Sequence, residues 1–420
     1  MTMGAPVAIW SIAAIALGGV LVRPWNLPEA IWAFGGAALL VLLGLMPLSA
    51  ALEGIGRGSD VYLFLIGMML LAELARKEGL FDWLATLAVR HARGSGTRLF
   101  WLIYVVGIVV TVFLSNDATA VVLTPAVYAA ARAADAEPLP YLFICAFIAN
   151  AASFVLPISN PANLVIFGSQ MPPLTTWLAT FTLPSIAAIG LTYLMLRLTL
   201  RRSIRDRLRT DIPPVVLTFG GKLAAGGIAA TALVLLVASA LDWQLGLPTF
   251  IAGTLTAAGI LLGSRQSPWP VLRDISWGVL PLVAGLFVLV EALQLTGVID
   301  ALARLAQQSA AHSIGWAATG AGIIVAIASN LLNNLPTGLI AGATIEAAQL
   351  PHSVTSAVLV GVDLGPNLSI TGSLATILWL VALRREGQRV GAWTFLKLGI
   401  LVMPPALIGA LLALWLTTAG

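Results

Sequence analysis

An all-α polytopic membrane protein is the fold class the sequence predicts, and three observations predict it. Of 420 residues, 59% are hydrophobic and only 10% are Asp, Glu, Lys or Arg, against about 25% charged residues in an ordinary soluble domain. The mean hydropathy is +0.97. The charges fall between long apolar runs, several of them near the ~20 residues that a membrane-crossing helix needs. These numbers exclude a soluble globular domain, a disordered chain, a collagen-like repeat and a disulfide scaffold. Cys145 is the single cysteine, so neither an internal disulfide nor a thiolate metal cluster is available. A net charge of +4 does not imply nucleic-acid binding, because the basic residues are dispersed between the apolar runs. The first charge is Arg23, so the start reads as a first membrane helix without the basic flank of a cleaved signal.

Hydropathy and helix breakers place spans at residues 7–22, 30–47 and 61–76, then an amphipathic stretch at 80–93. Residues 99–134 form an apolar run broken by Ser115-Asn116-Asp117. Residues 138–196 carry no charge but are punctuated by Pro157, Pro161, Pro172, Pro173 and Pro184. They read as one interrupted span (141–167) and one continuous span (177–196). A basic loop, 197–222, closes this half.

The second half repeats the plan. Spans fall at 223–241, 247–263 and 275–291, with an amphipathic stretch at 298–310. Residues 314–350 are broken at Asn333-Asn334-Leu335-Pro336, 353–383 are interrupted, and 393–417 form the last span. At an offset of 218, Gly67, Glu73, Gly79, Asp82, Leu84 and Ala85 match Gly285, Glu291, Gly297, Asp300, Leu302 and Ala303. The same offset places Asn116 on Asn334 and Thr119 on Thr337; an offset of 213 places Asn150 on Asp363. A duplicated unit is expected: residues 1–210 as a first repeat (scaffold spans 1–97, transport part 98–200) and 211–420 as a second (scaffold spans 222–312, transport part 313–420).

If each polar-broken pair is a re-entrant hairpin, each half makes five crossings and the two halves are inverted. About ten transmembrane helices, two re-entrant hairpins and two interrupted helices result. One side then collects 20 of the 22 Lys and Arg residues, all but Arg57 and Arg304. Positive-inside bias makes that side cytoplasmic and puts both termini on the periplasmic side of an inner membrane.

Non-helical backbone survives at membrane depth only where it lines a cavity or is buried in protein. Four such breaks are expected, at 115–119, 157–163, 333–337 and 365–373. Paired breaks in inverted repeats mark secondary transporters that hold substrate near the midplane. The residues expected to bind substrate are neutral hydrogen-bonders: Asn116, Thr119, Ser159, Asn160, Asn163, Asn333, Asn334, Thr337, Asn367 and Ser373. Ser115, Ser369 and Thr371 lie among them. Asp117 and Asp363 are the carboxylates beside the breaks, and a charged Asp at a helix centre costs about 2.5–3.5 kcal/mol on insertion scales. Both are expected to carry coupling protons; the plainer readings are a helix N-cap for Asp117 and a structural hydrogen bond for Asp363. No Lys or Arg lies near a break, so the site suits a neutral, hydroxyl-rich solute or a small cation.

Other residues have two readings each. Glu73 and Glu291 are interfacial carboxylates at a scaffold contact or members of a proton relay. Asn330 lines the pore or bonds a neighbouring helix. His312 and His352 read as exposed loop residues, and Cys145 as packing. Arg201, Arg202, Arg205, Arg207 and Arg209 form a topology-fixing loop or a docking surface. Phosphate-loop, zinc-protease and nucleophile-elbow motifs are missing. No cofactor or metal is expected, the chain is not expected to be an enzyme, and energy must come from an ion gradient or a separate subunit.

The segment Asn333-Asn-Leu-Pro-Thr-Gly-Leu-Ile-Ala-Gly342 and the segment Gly361-Val-Asp-Leu-Gly-Pro-Asn-Leu-Ser-Ile-Thr-Gly-Ser-Leu-Ala-Thr-Ile-Leu-Trp379 resemble the arsenite efflux permeases, the ArsB family. Leu383-Arg-Arg-Glu-Gly-Gln388, Met403-Pro-Pro405, Phe64-Leu-Ile-Gly-Met-Met69, Glu78-Gly-Leu-Phe-Asp-Trp83 and Leu123-Thr-Pro125 extend the likeness over nearly the whole chain. Ser115-Asn-Asp-Ala-Thr-Ala120 is similar to the hairpin tips of divalent-anion/sodium symporters, which share the ion transporter superfamily. Asp117 in place of their Thr is a departure that argues against a dicarboxylate substrate. The resemblance implies elevator-type export of arsenite and antimonite in exchange for protons. It also implies a soluble arsenic-stimulated ATPase as a partner at the cytoplasmic face, and a homodimer by analogy with related carriers. The rival within the superfamily is a sodium/proton antiporter.

Overall fold

The computed structural model describes residues 4–204, 207–265 and 267–418; among these, all regular structure is helical. The first half runs α1 (Gly4–Val22), α2 (Glu29–Leu42), α3 (Leu48–Arg57), α4 (Ser59–Lys77), α5 (Leu80–Ala92), α6 (Gly96–Phe113), α7 (Asn116–Ala118), α8 (Thr124–Ala133), α9 (Leu139–Ala151), α10 (Pro161–Phe167) and α11 (Leu174–Leu200). The second runs α12 (Phe219–Ala240), α13 (Gly246–Ser264), α14 (Trp269–Asp274), α15 (Val279–Leu295), α16 (Val298–His312), α17 (Ile314–Leu332), α18 (Asn334–Ala348), α19 (His352–Leu364), α20 (Leu374–Arg385) and α21 (Ala392–Thr418). The order of long, short and broken helices is the same in both halves, except that α7 and α8, joined by a π-helical turn, stand where α18 is continuous.

Among the described residues, seven helices are long and apolar enough to cross a membrane, and up to nine if α3–α4 and α15–α16 each count as one bent span. The expectation of about ten crossings adds α2, joins α9 to α10 and α19 to α20 across their breaks, and takes α6 and α17 out of the count as arms of the two hairpins. Sequence reading leaves 48–60 unassigned, whereas α3 occupies most of it. This short amphipathic helix packs on α15 of the other half, where Gly54 lets it approach Phe287 and Val288.

The first four helices of each half interlock. α4 lies on α13 and its counterpart α15 lies on α2. The matched glycines explain the closeness: a Cβ at Gly67 would strike the Thr249 backbone, and one at Gly285 the backbone of Ala33 and Phe34. A second group forms around α11 against α21 and α17 against α19. In the latter crossing, Gly322, Ala326, Ala357, Gly361 and Gly365 bring backbones into contact. The amphipathic helices α5 and α16 start at Gly79 (φ 73) and Gly297 (φ 78), where the left-handed conformation turns the chain off the preceding span. Each then packs along a broken hairpin, α5 on α6 and α8, and α16 on α17 and α18.

Burial follows membrane logic. Large apolar side chains such as Ile15, Phe34, Leu255, Ile324 and Leu401 are exposed on the outside, while the Asn, Ser and Thr residues of the breaks are buried, except the half-buried Ser369 and Thr371. The linker between the halves is strapped to the first: Arg207 and Leu208 donate backbone bonds to Gly94 O, and Arg209 to Ala134 O. Arg201, Arg202, Arg207 and Arg209 are exposed on it; Arg205 lies outside the described residues.

Candidate functional site

All four expected breaks occur, and each opens a new helix whose first N–H groups need acceptors. The caps come from the break residues themselves. Ser115 Oγ accepts from Ala118 N (3.1 Å), Asn160 Oδ1 from Ala162 N (3.0 Å), Asn333 Oδ1 from Leu335 N (3.4 Å) and Ser373 Oγ from Thr376 N (3.1 Å). Asp117 is therefore not the N-cap that its plainer reading suggested; Ser115 is. A short, flexible-angle hydroxyl at the strand-like position (φ −178) reaches the third N–H, and Asp117 sits one residue into the helix. Beyond it, residues Thr119–Leu123 form a π-helical turn, a distortion frequent at functional sites. Thr119 Oγ1 there meets Thr111 Oγ1 at 2.8 Å.

The breaks are joined across the two halves. Asn160 Nδ2 donates to Asp363 Oδ1 at 2.7 Å, over 203 residues of sequence. Reciprocally, Asn150 Nδ2 donates to Asn367 Oδ1 (3.0 Å) and approaches Thr376 Oγ1 (3.5 Å), while Asn367 Nδ2 donates to Phe147 O (3.0 Å). Asn163 Nδ2 binds the carbonyls of Ser153, Leu156 and Pro157, closing the first interruption, and Ser159 Oγ ties it to Val112 O of α6. In the second hairpin, Asn333 Nδ2 donates to Thr371 O (3.2 Å) and Asn334 N to Gly372 O (2.8 Å).

Asn330 proves to be a brace. Its Nδ2 donates to Ala326 O and Gly365 O, and its Oδ1 accepts from Ser369 Oγ at 2.6 Å. Asn150, Thr376, Ser153 and Thr111 belong to this layer but were not among the expected site residues. Asn150 carried a signal, its alignment with Asp363; the others lie inside helices or beside breaks with nothing local to mark them.

The layer is rich in acceptors and has no fixed cation. Asn150 Oδ1, Asn163 Oδ1, Thr337 Oγ1 and Asp363 Oδ2 are buried and make no hydrogen bond. Among the described residues no Lys or Arg is fully buried, and Asp363 (0% exposed) and Glu73 (8%) are the fully buried carboxylates. Asp363 is the last residue but one of α19, with the Ser153 hydroxyl nearby. Asp117 is only partly buried and, with Ser115 and Pro161, lines a cavity of about 490 Å³.

Glu73, Arg76, Asp274, Arg385 and Glu386 rim that cavity. Arg76 grips Glu73 through Nε (2.8 Å) and Nη2 (2.5 Å), and Lys77 Nζ bonds Asp274 Oδ2 (2.9 Å), tying α14 to α4. Lys77 holds the Asp274 carboxyl below its usual range. This tie therefore persists at neutral pH and weakens only as the pH falls through the lowered value. A second cavity, about 610 Å³, is lined by Arg57, Asp60, Glu291, Glu346 and His352. There Arg57 Nη1 meets Glu291 Oε2 at 2.9 Å, and Glu291 is the residue that the sequence offset of 218 places on Glu73. His352 is exposed at the start of α19, beside Thr180 Oγ1 (3.3 Å); His312 is exposed and Cys145 is buried.

Known proteins place this architecture. Over 364 residues the chain is 29% identical to the arsenical pump membrane protein of Escherichia coli, covering 83% of this chain and 84% of that one. An uncharacterized transporter of Mycobacterium tuberculosis is 26% identical over 417 residues, covering 94% and 95%. Among solved structures, the YdaH transporter of Alcanivorax borkumensis shares the fold at a TM-score of 0.59 and 16% identity, covering 98% of both chains. The citrate transporter family profile matches residues 10–363. With a helical membrane fold, paired helix breaks and a match over most of its length, the chain belongs to the citrate transporter family of membrane transporters.

Proposed function

We propose that this chain is a secondary transporter that exports arsenite, as neutral arsenous acid, and antimonite from the cytoplasm in exchange for protons. The observation that carries this reading is the buried layer of neutral Asn, Ser and Thr groups with unsatisfied acceptor oxygens and no fully buried Lys or Arg. Arsenous acid brings three O–H donors and no charge, so such oxygens can take it up. Citrate brings carboxylates, for which a site would need charge-assisted partners such as Arg. The relatives named as arsenical pumps support the arsenical substrate.

Asn116, Thr119, Ser159, Asn160, Asn163, Asn333, Asn334, Thr337, Asn367 and Ser373 hold the substrate directly or shape its site, and the coupling proton is exchanged at one of the two carboxylates beside the breaks, Asp117 or Asp363. The interlocked helices α1–α4 and α12–α15, with the amphipathic α5 and α16, act as scaffold. The broken helices, with α11 and α21, move as the transport part between inverted repeats in an elevator-like displacement. The basic side faces the cytoplasm of an inner-membrane protein, with both termini periplasmic. A soluble ATPase docking there and a homodimer belong to the same reading.

Arsenite uptake into everted membrane vesicles with an acid interior tests the core of it. Uptake that collapses with a protonophore is expected. A second reading, sodium/proton antiport, is favoured by the same acceptor oxygens, which suit a small cation. Sodium-dependent proton movement without arsenite, and no arsenite uptake, would establish it instead.

A further inference from the structure

The two carboxylates of the polar layer occupy unlike places. Asp117 is in the first turn of its helix, where the N-terminal end of the helix dipole favours a negative group. It lines the 490 Å³ cavity that opens past Arg76 and Arg385. Asp363 is the last residue but one of α19, is 0% exposed, lines neither cavity, and is bound through Oδ1 to Asn160. The residue that the offset of 213 places on Asp363 is Asn150, and it too bonds across the halves, its Nδ2 donating to Asn367 Oδ1 at 3.0 Å beside Thr376 Oγ1 at 3.5 Å in the first turn of α20. At that position of the first half an amide makes the cross-half bond, so a carboxylate is not needed to join the two interruptions.

We propose that the two carboxylates divide the work: Asp117 is the group that meets substrate and exchanges protons with water, and Asp363 is a positioning residue that latches the two interrupted helices together through Asn160. This rests on the arsenite–proton exchange proposed above. The proton that Asp117 releases into the cavity as arsenous acid binds is regained from water on the other side after the solute leaves. Asp363 keeps its bond to Asn160 throughout, so the two interruptions travel as one body.

The test uses the full chain in everted vesicles, in a Cys145→Ala background for labelling. A membrane-impermeant maleimide is expected to modify Asp117→Cys in the native protein and Asp363→Cys only after denaturation. Asp117→Asn is expected to lose pH-driven arsenite uptake but to keep arsenite counterflow, which needs no net proton. Asp363→Asn, whose Oδ1 still accepts from Asn160, is expected to keep both with a raised KM and near-normal maximal rate; Asp363→Ala is expected to lose both. Equal native labelling of the two cysteines overturns the proposal. So does an Asp363→Asn protein that retains counterflow but loses pH-driven uptake, or an Asp117→Asn protein that keeps it. If the unmodified chain moves no arsenite, the transport reading fails by itself, and the labelling still decides which carboxylate is open to water.

Discussion

Asn160→Leu is expected to destabilise the protein more than the loss of any surface contact, because one side chain serves two buried partners. Its Nδ2 bonds Asp363 Oδ1 at 2.7 Å, and its Oδ1 caps α10 at Ala162 N. Leucine removes the amide bonded to Asp363 Oδ1, at 0% exposure. An orphaned buried polar group costs about 1–3 kcal/mol, and an orphaned buried charge about 3–5 kcal/mol. Loss of the cap adds about 1 kcal/mol. The detergent-solubilised variant should melt several degrees lower, with transport lost. Asn160→Leu combined with Asp363→Leu should recover much of the melting temperature, since replacing both partners by apolar groups is far less costly than removing one. Equal melting temperatures for the single variant and the unmodified chain would show that the bond carries no stability.

The second large effect is expected at the helix crossings that lock the halves together. A Cβ on Gly285 lies 2.5–2.7 Å from the Ala33 and Phe34 backbone, and one on Gly67 falls on the backbone of Thr249 and Phe250. Backbone at a helix crossing has no rotamer to move to, so the strain exceeds the ~1–3 kcal/mol usual for overpacking. Gly285→Leu and Gly67→Leu should aggregate or elute as misfolded protein on size exclusion. Gly35→Ala on α2, the helix that Gly285 packs against, is the control, since nothing lies within 4 Å of its added carbon. It should be neutral or gain up to about 1 kcal/mol of helix propensity. A Gly285→Leu protein with the elution and melting of the unmodified chain would refute the close crossing.

The class of protein and the position of its breaks were legible in the sequence. Transfer into lipid is decided residue by residue, so a chain with 10% charge declares its solvent before it folds. Pro, Asn and Ser clusters inside apolar runs stop helices by local rules, and all four breaks appear where those clusters lie. The matched glycines at 67 and 285 were visible too, but not what they touch. α3 and α14 escaped because a single amphipathic turn or two between spans resembles a loop until a partner helix buries its apolar side.

What only the tertiary structure decided is pairing. Asn160 finds Asp363 across 203 residues, and Asn150 finds Asn367 across 217. A hydrogen bond needs its groups within about 3 Å, and a chain this long can bring many Asn and Asp side chains to that range. The interlocking of the two halves selects which of them meet. The same packing leaves Asp117 facing a cavity and seals Asp363 in protein, a difference that two aspartates beside similar breaks do not announce in the sequence. Local composition sets where the backbone must open; the way the halves close on each other sets what each opening contains.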